Sequence, residues 1–397
     1  MIPHRWSMAP AILFFILCNV GPSRAGESPQ ADGLKKAVES RGDAYARQLE
    51  TYLRHWLVDD YPGRAAKAWS RDYTSVDAFL KSVAPNRARW QKLLNPPPLV
   101  KTGELARRPC PPLAELKAEW LTLPLGPLVA EAVFVVPPTA TREKPVPLVI
   151  AQHGIGSFPE RTFGLADDGD AYHSYARELV KAGFAVLAPM NLLGADRRNR
   201  IERLCRLADT TLPGIELARL QRLLDEVCRD PRIDKDRIGI WGVSLGGLAT
   251  MFWMPLEPRI KAGVVAAWFN HRRNKMAIPD PRYSCFLETK EEHAFFRGWL
   301  VEFTDADAAS LICPRALLIQ TGKEDKIAHW PQVVEEFEAA REHYKKLGIA
   351  ERMEMDLHEG GHEARVASGI RFLTRWLIEK PPLDQRAERP HPPAARN

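Results

Sequence analysis

Between residues 147 and 357 the apolar positions fall in short, nearly unbroken runs, and most runs are followed by a stretch with helical spacing. Pro147 to His153, Phe184 to Ala188, Arg237 to Trp241, Lys261 to Trp268, Arg315 to Thr321 and Arg352 to Leu357 read as strands. Runs this apolar belong to strands covered on both faces, as in a parallel sheet. A helix through Ala182 that Asp170 can cap, Pro213 to Cys228, the segment after Ser244, Pro331 to Leu347 and Ala364 to Ile378 supply the helices. This alternation predicts an α/β fold, a doubly wound and mainly parallel sheet with helices on both faces. Ahead of it, Glu119 to Leu123 and Val129 to Val136 predict two strands joined in hairpin fashion through Pro124 to Pro127.

The ends of the chain depart from this pattern. Arg5 precedes an uncharged run from Met8 to Val20, and Ser23-Arg24-Ala25 places small residues where a signal peptidase cuts. The run is shorter than the roughly 20 residues of a membrane span. The expectation for residues 1–25 is a secretory signal peptide, hence a periplasmic or extracellular protein with no stable membrane association after cleavage. Leu17 before Cys18 argues against lipid attachment. Residues 26–116 read as an N-terminal helical extension: Tyr45, Leu49, Tyr52, Leu53 and Trp56 recur at helical spacing, and a second helix runs from Ser75, interrupted at Pro85, to Leu94. These apolar residues are expected to cover the main domain, residues 117–379. The Pro-rich residues 380–397 are expected to be a disordered tail.

Composition narrows the classes. With 397 residues and 45% apolar content the chain is globular and can bury a large core. Part of the net charge of +6 leaves with Arg5 and Arg24, and no basic stripe with interleaved aromatics remains, so no nucleic-acid partner is expected. Of six cysteines, Cys18 leaves with the signal; in an exported protein Cys205 and Cys228 are the first pair to test for a disulfide. Neither the cysteines nor Asp167, Asp168 and Asp170 form a metal-ligand set, and no metal or cofactor is expected.

The chemistry centres on Gly242-Val243-Ser244-Leu245-Gly246, where a strand runs into a helix. A serine hydroxyl is a poor nucleophile and needs a strained, exposed turn with a histidine beside it; flanking glycines let strand and helix close beneath it. Partners are sought just after the other strands, where ligands bind in open α/β sheets. Asp325, three residues beyond Gly322, is the expected acid, with Glu324 its rival. His362 in Leu-His-Glu-Gly-Gly-His-Glu is the expected base, with His358 its rival at the strand end. The amides of Leu245 and Ile155 would receive the oxyanion, Ile155 lying in His153-Gly154-Ile155-Gly156 after a buried strand. His153 is expected to hold that loop rather than take a proton. Arg197, in a run of arginines after the strand ending near Pro189, and Trp268 and Asn270, after the strand of Lys261 to Trp268, are possible substrate contacts.

On these motifs, residues 117 to 379 resemble the α/β-hydrolase superfamily, and within it the dienelactone hydrolase-like and acetyl xylan esterase-like exported esterases. The order Ser244, Asp325, His362 is the triad order of that superfamily. The resemblance implies a secreted serine carboxylic-ester hydrolase without cofactor, acting on a small-molecule or carbohydrate ester such as an acetylated polysaccharide. Dienelactone hydrolases proper carry cysteine where this chain has Ser244, and glucuronoyl esterases carry arginine where it has Leu245. A peptidase or lactone hydrolase of the same fold, or a binding protein that retains it without turnover, are the alternatives.

Overall fold

The apolar runs pair side by side. In the computed structural model, which describes residues 29–166 and 171–379, they form a nine-stranded sheet. Its strands are β1 (Ala106–Pro109), β2 (Glu119–Leu125), β3 (Leu128–Val135), β4 (Val146–Gln152), β5 (Ala185–Pro189), β6 (Ile233–Val243), β7 (Ile260–Ala266), β8 (Ala316–Gly322) and β9 (Met353–His358), in the order β1-β2-β3-β5-β4-β6-β7-β8-β9. From β5 across to β9 neighbouring strands are parallel, while β1, β2 and β3 form an antiparallel edge that joins β5. The β2–β3 hairpin closes in two residues, with Gly126 at φ 71° before Pro127, so β2 extends beyond the expected Leu123.

Each central strand is buried on both faces, as its composition requires. Ile238 and Ile240 of β6 and Leu317 and Ile319 of β8 enter one apolar cluster, and Trp241, Val243 and Leu318 enter the other. The helices are α1 (Pro29–Arg54), α2 (Tyr61–Ala68), α3 (Val76–Leu94), α4 (Tyr175–Lys181), α5 (Ala195–Leu207), α6 (Leu212–Val227), α7 (Leu245–Trp253), α8 (Arg272–Ala277), α9 (Trp299–Glu302), α10 (Asp305–Ile312), α11 (Trp330–Lys346) and α12 (Val366–Thr374). The first cluster takes residues from α3, α6, α7, α10 and α11, and the second from α4 and α12. Strand order reverses at β4, which has β5 on one side and β6 on the other, opening the crevice in which such sheets bind ligands.

The segment before residue 117 is helical, with the short edge strand β1, and is divided between two units. Residues 29–53, nearly all of α1, belong to one unit. Residues from Arg54 onwards form the other, and α2 and α3 lie inside it together with the sheet. On α3, Phe79, Val83, Trp90 and Leu94 form a fully buried stripe, with Trp90 edge-on to Phe252 at 4.9 Å and to Phe303 at 5.0 Å. Pro85 does not interrupt this helix. It lies on the exposed side, as does Lys81, the residue four before it whose carbonyl its missing N–H leaves without an intrahelical donor.

The run of arginines is helix α5, and β1 adds an edge strand without apolar alternation. Cys205 and Cys228 are both free thiols. Cys205 is buried on α5, whose Glu202 accepts the N–H of Leu212 at the start of α6; Cys228 stands at the other end of that 16-residue helix, roughly 24 Å away. A disulfide needs Cα atoms within about 7 Å. Asp167, Asp168 and Asp170, the expected signal sequence and the Pro-rich residues 380–397 lie outside the described residues.

Candidate active site

Ser244 stands between β6 and α7 with φ 58° and ψ −119°, an unfavourable conformation for a residue with a Cβ. The flanking glycines are required by contact. A Cβ on Gly242 would lie 1.9 Å from the carbonyl oxygen of Gly246, and one on Gly246 2.2 Å from that of Gln152. The turn is held by the Ser244 N–H, which donates to Ala266 O at 2.8 Å, and Leu245 opens α7, so its amide sits at the positive end of the helix.

The loop after β4 runs against this turn. A Cβ on Gly154 would lie 3.3 Å from Ser244 Cβ, and Ile155 lines the same cavity as Ser244 and Leu245. Among the described residues no backbone carbonyl receives the N–H of Leu245 or of Ile155, so both amides are available to an oxyanion. His153 sets the plane of the peptide that carries the Ile155 N–H. Its Nδ1 donates to Gly154 O at 2.9 Å while its Nε2 accepts the Asn191 N–H at 3.2 Å. Burial pushes the His153 imidazole down to about 4, so it stays neutral in this tautomer. As expected, it holds the loop.

Asp325 and His362 follow the last two parallel strands, β8 and β9. His362 Nδ1 lies 2.8 Å from Asp325 Oδ2, with the carboxylate side chain 1% exposed and the ring 30% exposed. Asp325 Oδ1 accepts the Ile327 N–H at 3.0 Å, so both carboxylate oxygens are engaged. An ionised carboxylate can only accept, so this bond is donated by Nδ1–H, which in a neutral ring leaves the lone pair on Nε2. The rivals are placed elsewhere: Glu324 is exposed, and His358 is buried with its Nδ1 accepting the Gly360 N–H at 3.1 Å. Burial also lowers the His358 pKa. The structure therefore brings Ser244, Leu245, Ile155 and Asp325 to one cavity and joins His362 to Asp325.

The β7–β8 insertion closes the cavity. Trp268 and Asn270 line it, Trp268 lying under the Arg272 guanidinium at 4.2 Å. Arg272 is itself bonded to Asp305 at 2.7 and 3.0 Å. Arg197 is exposed on α5 and is not among the lining residues. Its neighbours explain the run: Arg198 is buried against Glu216 at 2.7 Å, and Arg203 and Arg206 pair with Glu292. The cluster builds structure.

Sequence inspection missed Lys275 and Glu291, which line the cavity from the insertion. The Lys275 ammonium donates to Ser284 Oγ at 2.7 Å and to the Ile327 carbonyl, and burial lowers its pKa to about 8. Burial raises the Glu291 carboxyl above its ordinary value, opposed by Lys275 and His362. Their only signal was the charged composition of the insertion. Among the described residues no group of three metal-binding side chains occurs.

A mainly parallel sheet with a serine turn after β6, a buried aspartate after β8 and a histidine after β9 is the arrangement of the α/β-hydrolase fold. A model of the prolyl oligopeptidase family matches residues 214–380. The chain is 26% identical over 272 residues to the "Putative hydrolase YtaP" of Bacillus subtilis (strain 168), covering 65% of this chain and 88% of that one. Among solved structures it is similar to a "putative acetyl xylan esterase" from Bacteroides fragilis NCTC 9343, at 18% identity and TM-score 0.57 over 73% of this chain and 77% of that one. It is also similar to a CE15 glucuronoyl esterase from Teredinibacter turnerae T7901, at 16% identity and TM-score 0.55 over 78% and 90% of the two chains. At these identities the structures share the fold.

Proposed function

We propose that the protein is a serine carboxylic-ester hydrolase. Ser244 attacks the acyl carbonyl as His362 takes its proton; the Leu245 and Ile155 amides receive the oxyanion; His362 then protonates the leaving alcohol, and water repeats the cycle on the acyl-enzyme. Asp325 fixes the His362 tautomer and stabilises the imidazolium that forms. No cofactor is required by this chemistry. The observation that carries the reading is the 2.8 Å bond between His362 and the buried Asp325, in a chain whose Ser244 is held at φ 58° on the same cavity.

The substrate we infer is a short-chain ester of a polar alcohol, foremost an acetylated carbohydrate. Lys275, Glu291 and Asn270 line the cavity beside Trp268 and Phe286, which suits a hydrated ring better than a lipid chain. The acetyl xylan and glucuronoyl esterases of similar fold support the same class, while Leu245 differs from the arginine expected of a glucuronoyl esterase. We also infer export, on the apolar run from Met8 to Val20 and the small residues before Gly26.

The test is hydrolysis of nitrophenyl acetate, acetylated xylan, tributyrin and a long-chain triglyceride by wild-type and Ser244→Ala protein. Acetyl esters should be cleaved and the variant should lose on the order of a thousandfold in rate. Full activity in Ser244→Ala overturns the mechanism; preference for the long-chain triglyceride overturns only the carbohydrate class. The prolyl oligopeptidase match favours a peptidase as the second reading, separated by assaying peptide anilides in parallel.

A further inference from the structure

One short segment outside the cavity touches three of the chain stretches that hold the site. Residues 171–175 lead into α4. Tyr172 Oη accepts the Gly154 N–H at 2.8 Å, one peptide before the Ile155 amide. The Ala171 carbonyl accepts the Ala364 N–H at 2.8 Å, and His173 Nε2 lies 2.7 Å from Glu363 Oε2, so two bonds grip the chain immediately after His362. The buried Tyr175 hydroxyl stands 3.1 Å from the Trp241 carbonyl and 3.3 Å from that of Gln152, beneath the serine turn and the β4 loop together.

The backbone of this segment is costly. His173 and Ser174 are consecutive non-glycine residues with φ 49° and 52°, in the left-handed region that a Cβ disfavours. Such conformations persist where surrounding contacts over-determine them, and they concentrate at functional sites. Glu363 shows what those contacts hold. Its carboxylate folds back across the histidine loop, so that a Cβ on Gly360 would stand 1.8 Å from Glu363 Oε1, and His358 Nδ1 lies 3.7 Å from the same oxygen. From the other side, the amides of Lys323 and Glu324 donate to His358 O at 2.8 Å and Gly360 O at 3.0 Å. The His362 loop is thus pinned between the Asp325 turn and the 171–175 segment.

We propose that Tyr172 and Glu363 are positioning residues, Tyr172 setting the Ile155 amide through Gly154 and Glu363, held by His173, setting the His362 ring. The segment thereby couples the oxyanion site and the base, two parts that come from strands separated in the sheet by β6, β7 and β8. The inference rests on the serine-hydrolase reading above. Its chemical basis is that oxyanion donors and a general base act only within tenths of an ångström of their targets, a displacement of about 1 Å costing on the order of a hundredfold.

The test uses the full chain with Tyr172→Phe, Glu363→Gln and Glu363→Ala, measuring kcat and KM on nitrophenyl acetate, affinity for a phenylboronic acid and the thermal midpoint. A boronate forms a tetrahedral adduct on the serine and so reports the oxyanion amides directly. Expected are a kcat loss of about ten- to a hundredfold with KM within about twofold, at least tenfold weaker boronate binding by Tyr172→Phe, and a milder kcat loss in Glu363→Gln than in Glu363→Ala. Wild-type kcat and boronate affinity in folded Tyr172→Phe overturn the inference for Tyr172. Wild-type kcat in both Glu363 variants overturns it for Glu363, and these variants are read even where Tyr172→Phe does not fold. Failure of the underlying reading looks different: wild-type protein itself would neither turn over esters nor label with a fluorophosphonate.

Discussion

A Cβ placed on Gly322 would stand 2.2 Å from the carbonyl oxygen of Gly360 and 2.3 Å from that of Gly361. The turn that carries Asp325 and the loop that carries His362 therefore meet backbone to backbone where Gly322 has no side chain, beside the 2.8 Å bond between Asp325 and His362. Gly322→Ala should push the two loops apart. The expected result is a kcat loss of at least about tenfold together with a destabilisation of about 1–3 kcal/mol, read by ester hydrolysis and by denaturant unfolding.

Asp325→Asn keeps the size of the side chain and removes its charge. The amide can offer Nδ1 of His362 a donor as readily as an acceptor, so the tautomer is no longer fixed and the imidazolium is no longer stabilised. Ester turnover should fall by about a thousandfold or more with little change in the thermal midpoint. A variant within tenfold of wild type would show that another carboxylate serves the base; Glu291, on the same cavity, would then be the residue to change.

Stability should respond to pH through Glu336. This carboxyl on α11 is buried and accepts the Ala306 N–H at 2.7 Å; burial first, and Asp305 second, raise its pKa to about 7 from 4.5. The folded state therefore binds a proton between about pH 4.5 and 7 that the unfolded chain has released, so this group's contribution to stability declines as pH rises through that window. Glu336→Gln should flatten the decline. Its thermal midpoint relative to wild type should be higher at pH 8 than at pH 5, and an equal offset at both pH values would refute the assignment.

Trp90 tests whether the segment before the sheet is core. Fully buried, it contacts Phe252 of α7, the helix that follows Ser244, and its Nε1–H donates to the Phe252 carbonyl at 3.1 Å. Trp90→Ala should cost about 3–5 kcal/mol of unfolding free energy, measured by denaturant titration. A cost below about 1 kcal/mol would restore α3 to the status of a dispensable cover.

Local order in the chain was enough for the central sheet, because burial on both faces leaves an apolar run wherever a parallel strand occurs, and the strand-to-helix joint at Ser244 needs glycines at 242 and 246 whatever surrounds it. The β2–β3 hairpin and the expected helices after β8 and β9 follow from the same short-range periodicity. What residue order left open was direction. Glu324 and Asp325 occupy one turn, and His358 ends β9 four residues before His362; in the structure Glu324 is exposed while Asp325 is buried and meets His362, where Gly322 packs against Gly360. Arg197 was a possible substrate contact by its place after a strand; tertiary contacts put it on an exposed helix and give its neighbours Arg198, Arg203 and Arg206 the partners Glu216 and Glu292 from distant positions. Lys275 and Glu291 reach the cavity because an irregular insertion folds back over the strand ends, a placement without period in the sequence. Periodicity is a property of neighbours in the chain, whereas side-chain juxtaposition is a property of loops meeting in space. For that reason the sheet, the serine turn and the candidates Asp325 and His362 were legible from residue order, while the contact between those two side chains and the make-up of the cavity wall came from the tertiary structure.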